Sequence, residues 1–349
     1  MPLYSFAACA RRRGVGEGGG GFAAGPRRPG GFQRDVWEPA RRTGARMGQA
    51  TRAGARSKGS ATAIGLFAVV LWSMMFGTVR LTSASFGPVL GSALIYTLAA
   101  VFVFVGYRPS PLRKLPVKFV LFSGGLFVFY ESAITLSIGM AASSEQTVEL
   151  SLVNYLWPSM LVLMAAFAAG SGRAFLRSLP GALVGAAGVA IAVGGNSGLD
   201  WALVAGDIAS NPLPFALTFC SAFAWAVYST FSGRFSQGRE GTAYFMAGVA
   251  AVLWVVFAAN GAPAPAQPVG PEGFLALAGA SGCIAAGYAC WGHGMVYGDM
   301  GVMAVGSYAA PLLSVAASVV LLGVSLSPLF WAGTAVVVAG SLLNWRMSR

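Results

Sequence analysis

Residues 153–169, VNYLWPSMLVLMAAFAA, and residues 306–322, GSYAAPLLSVAASVVLL, are two apolar stretches with one pattern. Each stretch has a tyrosine followed three residues later by a proline, and the two copies lie 153 residues apart. Trp72 and Trp225 are separated by the same 153 residues. A fixed offset between matching residues indicates that the chain is built from two copies of one unit.

Apolar runs of about 20 residues recur along the chain, which is the length that a helix needs to cross a lipid bilayer. Ten runs are predicted as membrane spans, near 60–79, 88–106, 118–138, 147–169, 178–195, 212–232, 242–259, 272–292, 301–323 and 328–345. Five spans per copy is an odd number, so the second copy enters the membrane from the opposite face. The sequence therefore predicts an all-α integral membrane protein with ten transmembrane helices in two inverted five-helix repeats, 58–195 and 196–349.

The distribution of basic residues predicts the orientation. With a cytoplasmic N-terminus, eleven of the twelve Lys and Arg residues after position 57 lie inside, and only Arg80 lies outside. Cytoplasmic loops carry such an excess of Lys and Arg in membrane proteins. Both termini are therefore predicted to be cytoplasmic. The acidic residues assigned to outer loops are Glu145, Glu149, Asp200, Asp207 and Glu272.

Residues 1–57 form an Arg/Gly-rich leader that supplies eight units of the net charge of +12. This composition cannot bury a core, so the leader is predicted to be disordered; Met47 is an alternative start of the natural chain. The rest of the chain shows no basic groove with interleaved aromatic residues, so a nucleic-acid partner is not expected. The lipid bilayer is the predicted environment.

The composition also excludes several protein classes. The chain is 56% hydrophobic and only 10% charged, too few charges for the surface of a soluble protein of this size. Four cysteines without a CxxC pair and a single histidine, His293, predict neither a metal site nor a bound cofactor. Metalloprotease, nucleophile-elbow and phosphate-loop motifs are also absent, so an enzyme embedded in the membrane is disfavoured.

Pro158 and Pro311 lie inside the predicted fourth and ninth spans. A proline removes one backbone hydrogen bond and kinks its helix, and in lipid the freed carbonyl needs another partner. A kink that faces an internal cavity meets this need, whereas a purely structural bend is the alternative. Asn154 lies next to the first kink, and an amide in hydrocarbon is costly unless it faces protein or water.

Glu131, beside Tyr130, is predicted to be the only carboxylate well inside a span. An ionisable residue in the membrane is a functional-site hypothesis by default. Glu131 could bind a substrate amine or carry a proton. The alternative is a hydrogen-bonded glutamate at a water-filled outer mouth.

Trp72, Trp157 and Trp225 lie in mid-span, where the usual interfacial role of tryptophan does not apply. They are predicted to line a cavity, with core packing as the alternative. The pairs Trp225–Tyr228 and Tyr288–Trp291, each three residues apart, share a helical face. The predicted substrate-binding residues are Trp72, Tyr130, Glu131, Asn154, Tyr155, Trp157, Pro158, Trp225, Tyr228, Tyr288, Trp291, Ser307, Tyr308 and Pro311.

These stretches resemble the drug/metabolite transporter superfamily, EamA type, and within it the YddG-type aromatic amino acid exporters. The resemblance is carried by AIGLFAVVLWS (63–73), Tyr130-Glu131, VNYLWP (153–158), FAWAVY (223–228) and the Ser-Tyr-x-x-Pro of 307–311. It covers essentially all of residues 60–346, whereas the leader has no counterpart.

The resemblance implies a central cavity lined by helices 1, 3, 4, 6, 8 and 9. It also implies export of small-molecule substrates, aromatic and related amino acids, across the bacterial inner membrane by alternating access. Ala310 replaces Trp157 in the second copy, so an asymmetric cavity is expected. A broader drug or metabolite exporter is the alternative. Proton coupling or facilitated diffusion, and a monomer or a homodimer, both stay open.

Overall fold

The computed structural model describes residues 52–107, 109, 111–168, 170, 172–195, 200–237, 239, 241–299, 302–303 and 306–347. Residues 1–51, nearly the whole predicted leader, lie outside the described residues. The described part of the chain is all-helical and contains no β-strand. Its α-helices are α1 (Arg52–Ser73), α2 (Met75–Phe86), α3 (Pro88–Tyr107), α4 (Gly125–Gly139), α5 (Ser144–Asn154), α6 (Trp157–Ala168), α7 (Gly172–Gly195), α8 (Trp201–Ser210), α9 (Pro212–Ser236), α10 (Thr242–Ala259), α11 (Pro271–Tyr297), α12 (Ala310–Leu322) and α13 (Pro328–Met347).

Eight helical segments of the described chain are long and apolar enough to cross a membrane, which makes this a multi-pass membrane protein. They coincide with the first eight predicted spans. The predicted ninth and tenth spans form shorter apolar helices at 307–322 and 328–344, so the count of ten stays a prediction. A π-helical turn, Phe119–Gly124, opens the third span, and short 3₁₀ turns lie at Leu112–Lys114 and Ser307–Ala309.

Prolines set the start of many of these helices. Pro88, Pro212, Pro271 and Pro328 are each the first residue of a long helix. The first position suits proline because its missing N–H would have no partner in the helix there and its fixed φ is already helical.

The first span is longer than predicted and runs from Lys58 to Phe86. The prediction ended it at residue 79 because polar residues follow. In the structure the helix continues through these residues, and two of their hydroxyls bond to carbonyls one turn back. Thr82 Oγ1 donates to the Thr78 carbonyl at 2.8 Å, and Ser85 Oγ to the Leu81 carbonyl at 3.3 Å.

The fourth span is broken in two next to Pro158. Helix α5 ends at Asn154 and α6 begins at Trp157, with Tyr155 and Leu156 in a turn. Pro158 has no N–H to donate and its ring clashes with the carbonyl four residues earlier, so the helical ladder stops there. Pro311 has a related place, because a 3₁₀ turn immediately precedes α12.

Helices α7 and α13 pack along a line of glycines. A side chain added at Gly340 would lie 2.8 Å from the Gly181 carbonyl oxygen and from the Gly185 Cα atom. Gly188 faces the backbone of Val337 in the same way. The Gly181–Gly185 pair is thus a close helix-packing face inside the chain.

Other helix pairs surround a central space. Helix α1 packs along α11, α4 along α9, and α3 along α10. The break between α5 and α6 and the start of α12 lie beside this space, and the largest buried cluster runs through it. The pairing brings α1, α2, α4, α5, α6, α9, α11 and α12 around a single site.

Three sequence assignments change. Helix α1 begins at Arg52, so the last six residues of the predicted leader are helical, since Arg, Ala and Lys are good helix formers. The predicted outer loop 196–211 contains helix α8. Glu149, assigned to an outer loop, is buried inside α5 because this helix begins at Ser144, so it lies near the start of the fourth span.

Candidate functional site

The central space contains a cavity between α1, α2, α4, α5, α6, α9, α11 and α12. It comprises about 710 Å³ that no protein atom occupies, including any part open to solvent. These helices belong to the same six spans that the family resemblance implied. The cavity is lined by Val69, Trp72, Met75, Phe76, Tyr130, Glu131, Asn154, Tyr155, Trp157, Trp225, Ile284, Tyr288, Ser307 and Ala310.

Glu131 is the one ionisable acid or base among these lining residues apart from the tyrosines, and it is 3% exposed. Tyr96 of α3 donates a hydrogen bond to its Oε2 atom at 2.5 Å. Tyr288 of α11 donates a second, very short hydrogen bond to Oε1. Two hydroxyl donors on one carboxylate offset part of the cost of burying it.

The helix break places Asn154 and Tyr155 at the cavity wall. Tyr155 is buried, and its hydroxyl shares a 2.6 Å hydrogen bond with Ser314 Oγ of α12. Asn154 is 4% exposed, and its Oδ1 atom has no hydrogen-bond partner among the described residues. A buried acceptor without a partner is uncommon in folded proteins and invites an explanation.

Aromatic rings form most of the remaining wall. On one side, Trp225 lies between Tyr130, with ring centroids 4.6 Å apart, and Tyr228, at 5.0 Å. On the other side, Trp72 contacts Tyr288 at 5.3 Å and Trp291 at 5.5 Å. Such tilted and edge-on contacts stabilise aromatic clusters beyond the burial of their area.

Comparisons with known proteins show which proteins this chain resembles. Residues 213–346 match the model of the EamA-like transporter family. The aromatic amino acid exporter YddG of Escherichia coli (strain K12) is 38% identical over 289 residues, which are 83% of this chain and 98% of that protein. The protein of the same name from Ancylobacter novellus is 32% identical and covers 84% of this chain and 99% of its own length.

The chain belongs to the EamA-like transporter family. It is therefore a transporter rather than an enzyme. The crystal structure of another protein matches with a TM-score of 0.58 at 27% identity. It covers 84% of this transporter and the whole of that chain.

Nine of the fourteen predicted site residues of this EamA-family transporter line the cavity. Tyr228 and Trp291 do not, and they pack instead behind Trp225 and Trp72. The other three that do not line it are Pro158, Tyr308 and Pro311, which belong to the helix break and to the start of α12.

Sequence reasoning missed two kinds of residue. Val69, Met75, Phe76 and Ile284 line the cavity but resemble ordinary apolar span residues, and Ala310, which also lines it, was named only as the counterpart of Trp157. Tyr96, the third member of the Glu131 cluster, does not line the cavity at all. No motif or spacing marks it, since it lies 35 residues from its partner in an apolar span.

Proposed function

We propose that this transporter exports amino acids, aromatic ones above all, across the bacterial inner membrane by alternating access. The observation that carries the proposal is a cavity that combines aromatic walls with one buried carboxylate. An aromatic amino acid has the matching parts, a flat apolar ring and an ammonium group. The printed names of the relatives support the same substrate class.

The substrate-binding set that we propose is the one predicted from the sequence, with two roles. Trp72, Tyr130, Glu131, Asn154, Tyr155, Trp157, Trp225, Tyr288 and Ser307 contact substrate, since they line the cavity. The remaining residues lie outside the lining and hold the lining residues in position: Pro158, Tyr228, Trp291, Tyr308 and Pro311.

The proposal includes ten spans in two inverted repeats, 58–195 and 196–349. Two polar contacts between the halves support it. Lys58 Nζ donates to Asp299 Oδ2 at 2.9 Å, and Asn211 Nδ2 donates to Gln146 Oε1 at 2.8 Å. Lys58 and Asn211 are 153 residues apart, as are Gln146 and Asp299. Two contacts exchanged between halves at the repeat offset are what inverted pseudo-symmetry produces.

Single-cysteine labelling tests the arrangement. A cysteine at exposed Ala264, in the connection before α11, should react with an impermeant maleimide added outside the cell. A cysteine at exposed Lys114 should react only after the membrane is opened. The reverse pattern would overturn the orientation, since basic residues such as Lys114 would then lie outside.

Transport by purified protein in liposomes tests the function. We expect saturable movement of labelled phenylalanine that tryptophan inhibits and that threonine inhibits far less. Trp254→Ala is a matched control, because this exposed tryptophan of α10 lies away from the cavity. Liposomes that move none of the aromatic amino acids would contradict the proposal.

A further inference from the structure

The unpartnered Oδ1 atom of Asn154 indicates what the cavity binds at this point. The side chain is 4% exposed, lies at the cavity wall, and offers an acceptor that no described residue satisfies. A buried acceptor costs free energy until a donor reaches it. The missing donor is therefore expected on the ligand.

Glu131 lines the same cavity and also has unused acceptor capacity. An ionised carboxylate has about four lone-pair positions, and Tyr96 and Tyr288 take one on each oxygen. Lys, Arg and His are absent from the lining, so no cation of the protein competes for Glu131 there. The site is thus built for a positively charged group with several N–H donors.

We propose that Glu131 and Oδ1 of Asn154 form a subsite that binds the α-ammonium group of the substrate, with Tyr96 as its positioning residue. The inference rests on the proposed function and deepens it. An ammonium group has three donors and no acceptor. It can therefore bond to both residues at once and leave a donor for a third partner.

Tyr96 is assigned its role by its place behind the carboxylate. It is completely buried, belongs to α3, and does not line the cavity. Its 2.5 Å hydrogen bond holds Oε2 from a position outside the cavity lining. Such a bond fixes the orientation of the carboxylate and touches no substrate atom.

Three probes separate the ammonium group from the rest of the ligand. Phenylalanine has both ionic groups, phenethylamine has only the ammonium group, and 3-phenylpropionate has only the carboxylate. Displacement of labelled tryptophan from the purified protein gives an apparent Kd for each. Glu131→Gln should weaken phenylalanine and phenethylamine by about tenfold or more, because a charged hydrogen bond is lost. The affinity of 3-phenylpropionate should not fall.

Asn154→Leu and Tyr96→Phe test the proposed subsite without a change at Glu131. Both should weaken the two ammonium probes by about 3–10-fold and spare 3-phenylpropionate. Tyr244→Phe is the matched control, since this tyrosine packs on Phe104 away from the cavity and should change no affinity. A purely structural role for Tyr96 would weaken all three probes alike.

The outcomes distinguish this inference from the proposed function. Selective weakening of the ammonium probes supports the subsite. Equal weakening of all three probes by Asn154→Leu and Tyr96→Phe, or unchanged affinities, overturns the subsite while tryptophan binding still supports the transporter. Wild-type protein that binds no tryptophan would overturn the proposed function itself.

Discussion

Trp157 and Trp225 both line the cavity, yet their surroundings predict opposite effects of substitution. Trp225 is 4% exposed and its ring is packed between Tyr130 and Tyr228. Trp157 is half-buried, and no aromatic ring of the described residues packs on it. Trp157 can therefore offer much of its ring to a ligand, whereas most of the Trp225 ring is already packed by the protein.

The magnitudes follow from these contacts. An aromatic contact is worth about 0.5–1.5 kcal/mol beyond area burial, or roughly 2–12-fold in affinity. Trp157→Ala should reduce transport of phenylalanine and tryptophan by that factor and spare threonine. Truncation of a packed tryptophan costs about 3–5 kcal/mol of stability. Trp225→Ala should therefore lower the melting temperature more than Trp157→Ala does.

The assay measures initial transport rates of the three amino acids in liposomes, and thermal unfolding of the same purified variants. Trp254→Ala controls for the general cost of losing a tryptophan. Equal loss for all three amino acids in Trp157→Ala would refute the reasoning, since Trp157 would then only hold the helix break. A larger loss of stability in Trp157→Ala than in Trp225→Ala would refute it as well.

Three further outcomes are expected. Gly340→Leu should strongly lower the melting temperature in thermal unfolding, because a side chain there would meet the α7 backbone at 2.8 Å. Gly282→Ala is the control and should be tolerated, because an added Cβ atom has nothing within 4 Å. An imposed pH gradient should not concentrate phenylalanine in liposomes, because a tyrosine hydrogen bond to each oxygen of Glu131 favours its ionised form; accumulation would reassign Glu131 to proton transfer. A protein that starts at Met47 should insert and transport normally, as membrane fractionation and an efflux assay can check, and failed insertion would give the leader a role.

The spans could be predicted from the sequence because length and apolarity decide them. Most predicted ends agree with the helices, and the Tyr-x-x-Pro pattern locates the break beside Asn154. The end of the first span could not be predicted, since Thr82 and Ser85 are polar by composition but satisfy their hydroxyls within the helix. Glu149 was misplaced as well. Ser143 caps the start of α5, so the helix begins before the predicted span and includes Glu149.

The cavity was only partly predictable because the rotation of an apolar helix about its axis leaves little trace in its sequence. Helices that are apolar on every side give no amphipathic stripe from which to read their inward face. Polar and aromatic residues such as Glu131 and Trp72 could be recognised against this background. Tyr96 could not, since only the packing of α3 on its neighbours directs its hydroxyl to Glu131.

The Glu131 cluster explains why the cavity is aromatic rather than merely apolar. A carboxylate buried among aliphatic side chains would lack donors and would be strongly disfavoured. A tyrosine supplies an apolar face and a hydroxyl in one side chain. Tyr288 uses both, because its hydroxyl donates to Glu131 while its ring contacts Trp72 and, at 5.7 Å, Phe127. The wall proposed to recognise an aromatic side chain is thus also the wall that makes a buried charge tolerable.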